Sequence, residues 1–273
     1  MSRSAQSSIV DLQAVDVHAH YGICKRGVSE LVDQFMTGNA ETVVARARQC
    51  NTRWTLVSPL LALFPRLNGD AVAGNEEAVE VVRQTEGLLQ WVVVNPLQTE
   101  TYNQAARMLA LPKCVGIKIH PEEHGYPITR YGQDLFELAI KHRAVVLTHS
   151  GEQNSLPEDF VPLANDFPEV TLILAHLGHS WDGDPSHQVR AIQASKHGNI
   201  YVDTSSANSI MPGLIEWAVG EIGSDRILYG TDTPLYFAPM QRARIDHAKI
   251  GDEEKRLILC DNALKLFDLD RFN

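Results

Sequence analysis

The sequence predicts an α/β chain folded as a single (β/α)8 barrel, the TIM-barrel architecture. Three observations carry that expectation. Short β-rich apolar runs alternate with longer amphipathic stretches along all 273 residues, at roughly 34 residues per unit, which makes eight units. The runs are near-continuous, as in Trp91-Val92-Val93-Val94 and Leu172-Ile173-Leu174, the composition of parallel strands buried on both faces. No linker rich in Gly, Pro or Ser and no low-complexity tract interrupts the series. One domain is therefore expected over 11–273, after a polar, Ser-rich and flexible segment over 1–10. An open doubly wound sheet shows the same alternation, so composition alone does not close the barrel.

Taken in order, the first strand is expected over 14–21 and the second over 52–59. Asn75 is placed to cap a helix beginning at Glu76, and Gly87 sits where that helix should stop. The third and fourth strands are expected over 89–95 and 115–120. Leu135, Leu138 and Ala139 then recur on one helical face, ahead of a fifth strand over 145–149. Ser155-x-x-Glu158 reads as a capping box for the following helix. The last three strands are expected over 171–176, 200–204 and 226–231.

Charge and composition narrow the function classes. With 24 Lys+Arg against 34 Asp+Glu, the net charge is −10, and no global field draws the chain to nucleic acid or an anionic membrane. The apolar runs are too short to span a bilayer, and residues 1–8 lack the apolar core of a secretory signal. The four cysteines (Cys24, Cys50, Cys114, Cys260) are widely spaced without a CxxC, and read as reduced, mostly buried thiols; a cytoplasmic location is expected. There is no P-loop, no GxGxxG and no GxSxG elbow in a strand-turn-helix setting.

The polar residues gather at strand ends. Five of the eleven histidines, His18, His20, His120, His149 and His176, fall at the C-terminal ends of expected strands, and Asp232 follows the eighth in Gly-Thr-Asp-Thr-Pro. In parallel α/β folds those ends share one rim, where active sites are built. His18 and His20, two apart on a strand, point to the same side. A lone histidine is more often a satisfied core residue, and a lone Asp before Thr-Pro more often caps a turn. Four separate strand ends supplying imidazoles and a carboxylate are hard to explain by packing, and suit a divalent ion. Lys118 shares a face with His120 in an apolar strand, where an unpaired ammonium is costly, so it is expected to anchor substrate or, once carboxylated, to bind metal. His124 and His179, in loops after the fourth and sixth strands, and the pair Lys25–Arg26 are weaker candidates for substrate contact. Trp181 is a candidate for a pocket wall or an interface.

The ordered set His18-x-His20, Lys118-x-His120-Pro121, His149, His176 and Gly-Thr-Asp232 resembles the amidohydrolase superfamily. Within it the set is most similar to the amidohydrolase-related branch of small metal-dependent hydrolases, lactonases and the aminocarboxymuconate semialdehyde decarboxylase group. The terminal Asn262-Ala263-Leu264-Lys265-Leu266-Phe267 resembles the closing helix of that branch. The resemblance implies that His18, His20, His149 and Asp232 hold a catalytic divalent metal, zinc first, with manganese or iron as alternatives. It places His176 beside the metal-bound water as general base or electrostatic partner. In binuclear members a carboxylated lysine and the sixth-strand histidine bind a second ion, places that Lys118 and His176 would fill. One ion is favoured and two are allowed. Some lactonases of the branch keep several of these residues and work without metal.

The expected reaction is hydrolysis of a C–O or C–N bond in a small ester, lactone or amide by a metal-activated water, with Asp232 moving its proton and His176 steadying charge. Lys118 and His120 are expected to bind the substrate, including any anionic group. The alternative is metal-dependent, non-oxidative decarboxylation of a small carboxylic acid; compact length leans toward hydrolysis. A metal- or ligand-binding barrel without catalysis is a third reading, which predicts an ion closed off from water. The expected partner is a small molecule, with no nucleic acid and no membrane, and a homo-oligomer is left open.

Overall fold

The computed structural model describes residues 9–25, 27, 29–64, 69–206 and 210–272, the last few (270 and 271) by backbone alone. Eight parallel strands run in the order β1 to β8: Ala14–Tyr21, Thr52–Pro59, Leu88–Val93, Cys114–Ile119, Val145–Thr148, Leu172–Leu174, Ile200–Asp203 and Ile227–Leu228. Every neighbouring pair is parallel, with helices between. The sheet curls back on itself beyond the short β8. Val17 N–H donates to the Tyr229 carbonyl (2.9 Å), Asp232 N–H to that of His18 (2.8 Å) and His20 N–H to that of Thr233 (2.7 Å). The chain is a (β/α)8 TIM barrel.

Two apolar layers follow from the strand alternation. Val92, Val146, Leu172, Leu174 and Val202 pack outward with helix residues such as Met108, Leu135, Phe136, Ala139 and Ile192. Val15, Val17, Leu56, Leu89, Trp91, Leu147, Ile173, Ala175 and Leu228 fill the interior, plugged from below by Ala263, Phe267 and Leu269 of the closing segment. The Trp91 and Phe267 rings meet edge-on at 5.4 Å. A Cβ at Gly116 would lie 2.6 Å from the Trp91 ring and 2.4 Å from the Val145 carbonyl oxygen, so only glycine leaves room for this indole.

β1 departs from a regular ladder. Asp16 pairs with Thr55, yet Ala19 pairs with Val57, so three steps on β1 oppose two on β2. The bulge reverses the alternation. Val15 and Val17 belong to the interior, whereas Ala19 and Tyr21 pack outward with Ala40, Val43, Ala78 and Val82. His18 and His20 are thereby turned inward above Val17.

Several local expectations are corrected. The helix that leads into β3 begins earlier than Glu76: it spans Ala71–Gln84, capped by the Asp70 side chain, which accepts from Val72 and Ala73 N–H. Asn75 lies inside it, fully buried, accepting from Val93 N–H and donating to the Val93 carbonyl and to Gln104. Ser155 caps nothing. The next helix starts at Pro157, whose fixed φ and missing N–H suit a first turn without a side-chain cap. The sixth and eighth strands end sooner than expected, and beyond them His176 (φ 71) and Asp232 (φ 57) take left-handed backbone. The four cysteines are free, and all but the half-buried Cys260 are buried. Residues 1–8 of the expected flexible segment lie outside the described residues, while the Ile9 and Val10 carbonyls accept from Arg242.

Candidate active site

The mouth of the barrel at the C-terminal strand ends holds a cavity of about 190 Å³. His18, His20, His120, His149, Glu152, His176, His179 and Asp232 face it, with Leu63, Phe64, Leu235 and Tyr236 as its apolar wall. That volume falls below the range of sites for drug-sized ligands and suits a small substrate.

The deepest layer is a hydrogen-bonded chain whose proton positions follow from its ends. Asp203, at the end of β7, accepts from the backbone N–H of His176 (3.0 Å) and Ser205 (2.9 Å) and from the Ser205 hydroxyl. His18 Nδ1 lies 2.8 Å from the other Asp203 oxygen and donates to it. The Ser205 proton being committed to Asp203, Ser205 Oγ accepts from His176 Nδ1 at 2.7 Å. His176 Nε2 is then the acceptor for His149 Nδ1 at 3.1 Å. His20 Nδ1 lies 3.1 Å from the Ser58 carbonyl, which can only accept, so this ring also carries its proton on Nδ1. His120 is the opposite tautomer: its Nδ1 accepts from Glu123 N–H, leaving the proton on Nε2, and its ring stacks on His149 at 4.3 Å.

Three groups of potential metal ligands result among the described residues. His18, His20 and Asp232 form one, fully buried, with ligand atoms within 4.8 Å of one another. His20 Nε2 and Asp232 Oδ1 face each other at 2.8 Å, a spacing at which both can ligate one cation. Together with second-layer bonds fixing each imidazole from behind, this donor set fits a divalent ion. His18, His176 and Asp203 form a second group; His149, Glu152 and His179 form the third. His149 thus stands with the rim residues instead of within reach of all three members of the first group.

Charge is arranged unevenly. Burial alone would raise the Asp232 carboxyl, but the hydrogen bond and charge of His20, with His18 and Lys118, bring it down to about 2. Burial pushes His18, His120 and His176 well below the usual histidine range, aided by neighbouring cationic groups. Lys118 is fully buried beneath the cavity instead of lining it, with Nζ 3.0 Å from His18 Nε2. Desolvation lowers it to about 8 against the attraction of Asp203 and Asp232.

Of the weaker candidates, His179 lines the cavity, while His124 is buried with Nε2 donating to the Ala62 carbonyl. Lys25 lines a neighbouring hollow with Tyr21 and Glu77, and Arg26 lies outside the described residues. Trp181 is exposed and forms no part of the cavity wall. Asp203, Ser205 and Glu152 were not singled out from the sequence. Asp203 ends a strand as the histidines do, and Glu152 follows His149 by three residues, so a signal existed for both.

A family model described as amidohydrolase matches residues 62–269. The chain belongs to the amidohydrolase family. The match covers Lys118, His120, His149, His176 and Asp232 and begins after the His18-x-His20 strand. A comparison with curated proteins found no match by sequence. Solved structures share the fold. The 2,6-dihydroxybenzoate decarboxylase from Rhizobium is 14% identical, with a TM-score of 0.69 over 94% of this chain and 99% of its own. The 5-carboxyvanillate decarboxylase from Novosphingobium aromaticivorans, with manganese and 4-hydroxy-3-methoxy-5-nitrobenzoic acid, is 12% identical, with a TM-score of 0.71 over 98% of each chain. A dihydroxybenzoic acid decarboxylase from Polaromonas, with manganese and the inhibitor 2-nitroresorcinol, is 16% identical, with a TM-score of 0.71 over 94% of this chain and 97% of its own. No helix among the described residues is long and apolar enough to cross a membrane.

Proposed function

We propose that this amidohydrolase-family enzyme is a metal-dependent decarboxylase that releases carbon dioxide from a small unsaturated or ring carboxylic acid. The observation that carries the reading is the sign of the buried charge. Beneath the cavity, Lys118 stands beside the His18, His20 and Asp232 ligand set, and a divalent ion there leaves the buried centre net positive against Asp203 and Asp232. A site of that sign in a low-dielectric pocket selects an anion, and a neutral ester or lactone gains nothing from it. Similar solved structures described as decarboxylases, two of them holding manganese, support the same choice. They match this fold over 97–99% of their length, so compactness does not argue for hydrolysis.

His18, His20 and Asp232 would hold the ion, with two imidazoles and one carboxylate suiting manganese as well as the zinc expected. When bound, the ion supplies fixed positive charge that stabilises the electron density left as the C–C bond opens. His120, with its proton on Nε2, donates to a substrate oxygen, and Lys118 acts through its field. Leu63, Phe64, Leu235 and Tyr236 keep water off the ring. The carboxylate departs as carbon dioxide, its bonding pair remains on carbon, and that carbon takes up one proton drawn from solvent, which His176, paired with His149, relays by accepting it at Nε2 and passing it on.

The test is a panel of small aromatic and unsaturated carboxylates, with carbon dioxide followed by mass spectrometry, beside a panel of esters, lactones and amides. At least one acid should lose carbon dioxide, and Asp232→Asn should abolish the release. Turnover confined to the second panel overturns the reading.

A further inference from the structure

We propose that Phe64 is a specificity-determining residue: its side chain is the partition that closes the substrate cavity off from a second hollow, and it thereby sets the longest acid the enzyme accepts. The inference rests on the binding of a small carboxylate in the cavity, as proposed above. The hollow beside the cavity has a volume of about 420 Å³, more than twice the 190 Å³ of the cavity itself. Tyr21, Ile23, Leu60 and Leu61 give it an apolar lining, and the exposed Lys25 and Glu77 are its charged groups. Among the described residues, Phe64 alone borders both spaces. Its neighbour Leu63 faces the cavity and not the hollow.

The backbone that carries Phe64 is held by contacts that do not involve its ring. Phe64 follows the one-turn helix Leu60–Leu63, and its N–H donates to the Leu60 carbonyl (3.1 Å). Its own carbonyl accepts from Gly69 N–H (2.9 Å), and the Leu61 carbonyl accepts from Asp70 N–H (2.8 Å). His124 Nε2 donates to the Ala62 carbonyl at 3.0 Å. The turn also lies directly on the helix Ala71–Gln84, where a Cβ at Gly74 would come within 2.7 Å of Ala62 N. Phe64 itself is buried, in one apolar cluster with Leu60, Leu63, Ala71 and Val93. Truncating a side chain on a backbone held in this way leaves open much of the space it filled, because the surroundings relax only in part. At this position the space freed joins cavity to hollow.

A length limit on the substrate follows. With Phe64 in place, an apolar chain on the substrate ring meets the partition and has no room in the cavity. With the partition gone, the chain enters the hollow and covers Leu60 and the exposed Leu61 and Ile23. Each methylene taken out of water there strengthens binding about fourfold.

The experiment is isothermal titration of manganese-loaded, full-length protein with benzoates carrying no chain, an ethyl or a butyl chain, at the meta or para position, beside the matching benzamides. Thermal melts verify folding. Wild type should bind the butyl acids at least about tenfold more weakly than benzoate. Phe64→Ala should bind the better butyl acid at least about tenfold more tightly than wild type does, and the milder Phe64→Leu should fall between them. Leu63→Ala, which enlarges the cavity without reaching the hollow, should keep the wild-type limit. A limit unmoved in both Phe64 variants while the acids bind overturns the partition and leaves the carboxylate reading standing. Wild type binding the butyl acids as tightly as benzoate, or Leu63→Ala relaxing the limit as far as Phe64→Ala, also overturns the partition. If the benzamides bind in place of the acids and their limit moves with Phe64, the partition is supported and the carboxylate reading falls. Binding of neither series overturns both.

Discussion

Replacing Asp16 by Asn should flatten the pH dependence of stability without unfolding the barrel. Asp16 is buried where β1 meets the chain beyond β8. Its Oδ1 accepts from the His18 and Thr231 N–H groups, both at 3.1 Å, and its Oδ2 is bonded to Thr231 Oγ1 at 2.5 Å. Desolvation lifts its carboxyl from 3.8 to about 8, in spite of the Thr231 and His18 hydrogen bonds that favour the anion. Because the folded value lies above the unfolded one, the folded state binds the extra proton. Stability is therefore highest below the unfolded pKa and falls as pH rises toward 8. Between pH 6 and pH 8 the loss is about 2 kcal/mol, or about 4 °C in Tm for a chain of this size. Asn keeps Oδ1 as the acceptor and gives Thr231 Oγ1 an N–H, so the variant should fold and lose that slope. Calorimetry of both apo proteins at pH 6 and pH 8 measures it. Equal slopes in wild type and Asp16→Asn would refute a protonated Asp16.

Treatment with a chelator should abolish turnover of any accepted acid, and manganese or zinc should restore it, as followed by carbon dioxide release. Lys118→Met should weaken binding of an anionic inhibitor of the benzoate type about tenfold while leaving its neutral amide unchanged, measured by isothermal titration. Trp91→Phe should destabilise the chain by about 1–3 kcal/mol in urea unfolding, because the Val17 carbonyl loses its 2.9 Å bond from the indole and stays buried.

The barrel was legible because its strands are buried on both faces, and continuous apolar runs such as Trp91–Val94 survive any local irregularity. The rim was legible because His120, His149, His176 and Asp232 follow those runs directly. What escaped prediction depends on long-range geometry. Asn75 looks like a cap because caps and buried bridges draw on the same side chains; only its contacts with Val93, eighteen residues on, distinguish them. Lys118 shares a strand face with His120, which suggested substrate contact, but it sits one layer lower and reaches only to His18. His149 was grouped with His18, His20 and Asp232 on the resemblance to the family, not on any spacing in the chain. Which nitrogen it offers, and to whom, depends on a hydrogen-bonded chain through His176 and Ser205 to Asp203, which only the fold brings together.

The bulge in β1 links interior packing to the chemistry above it. A regular strand from Val15 onward would place Val15, Val17, Ala19 and Tyr21 on one face and turn His18 and His20 away from the cavity. The extra residue lets one strand serve both layers, Val17 in the apolar interior and His18 in the polar mouth. A bulge leaves a carbonyl without its ladder partner, and an unpaired buried carbonyl would make the distortion costly. Trp91 removes that penalty by donating from Nε1 to Val17 O, in space kept open by the missing side chain of Gly116. On the other side, Asp16 and Thr231 tie the bulge to the segment that carries Asp232. The side chains of His18, His20 and Asp232 therefore owe their convergence to an indole, a glycine and a buried carboxyl, none of which lines the cavity.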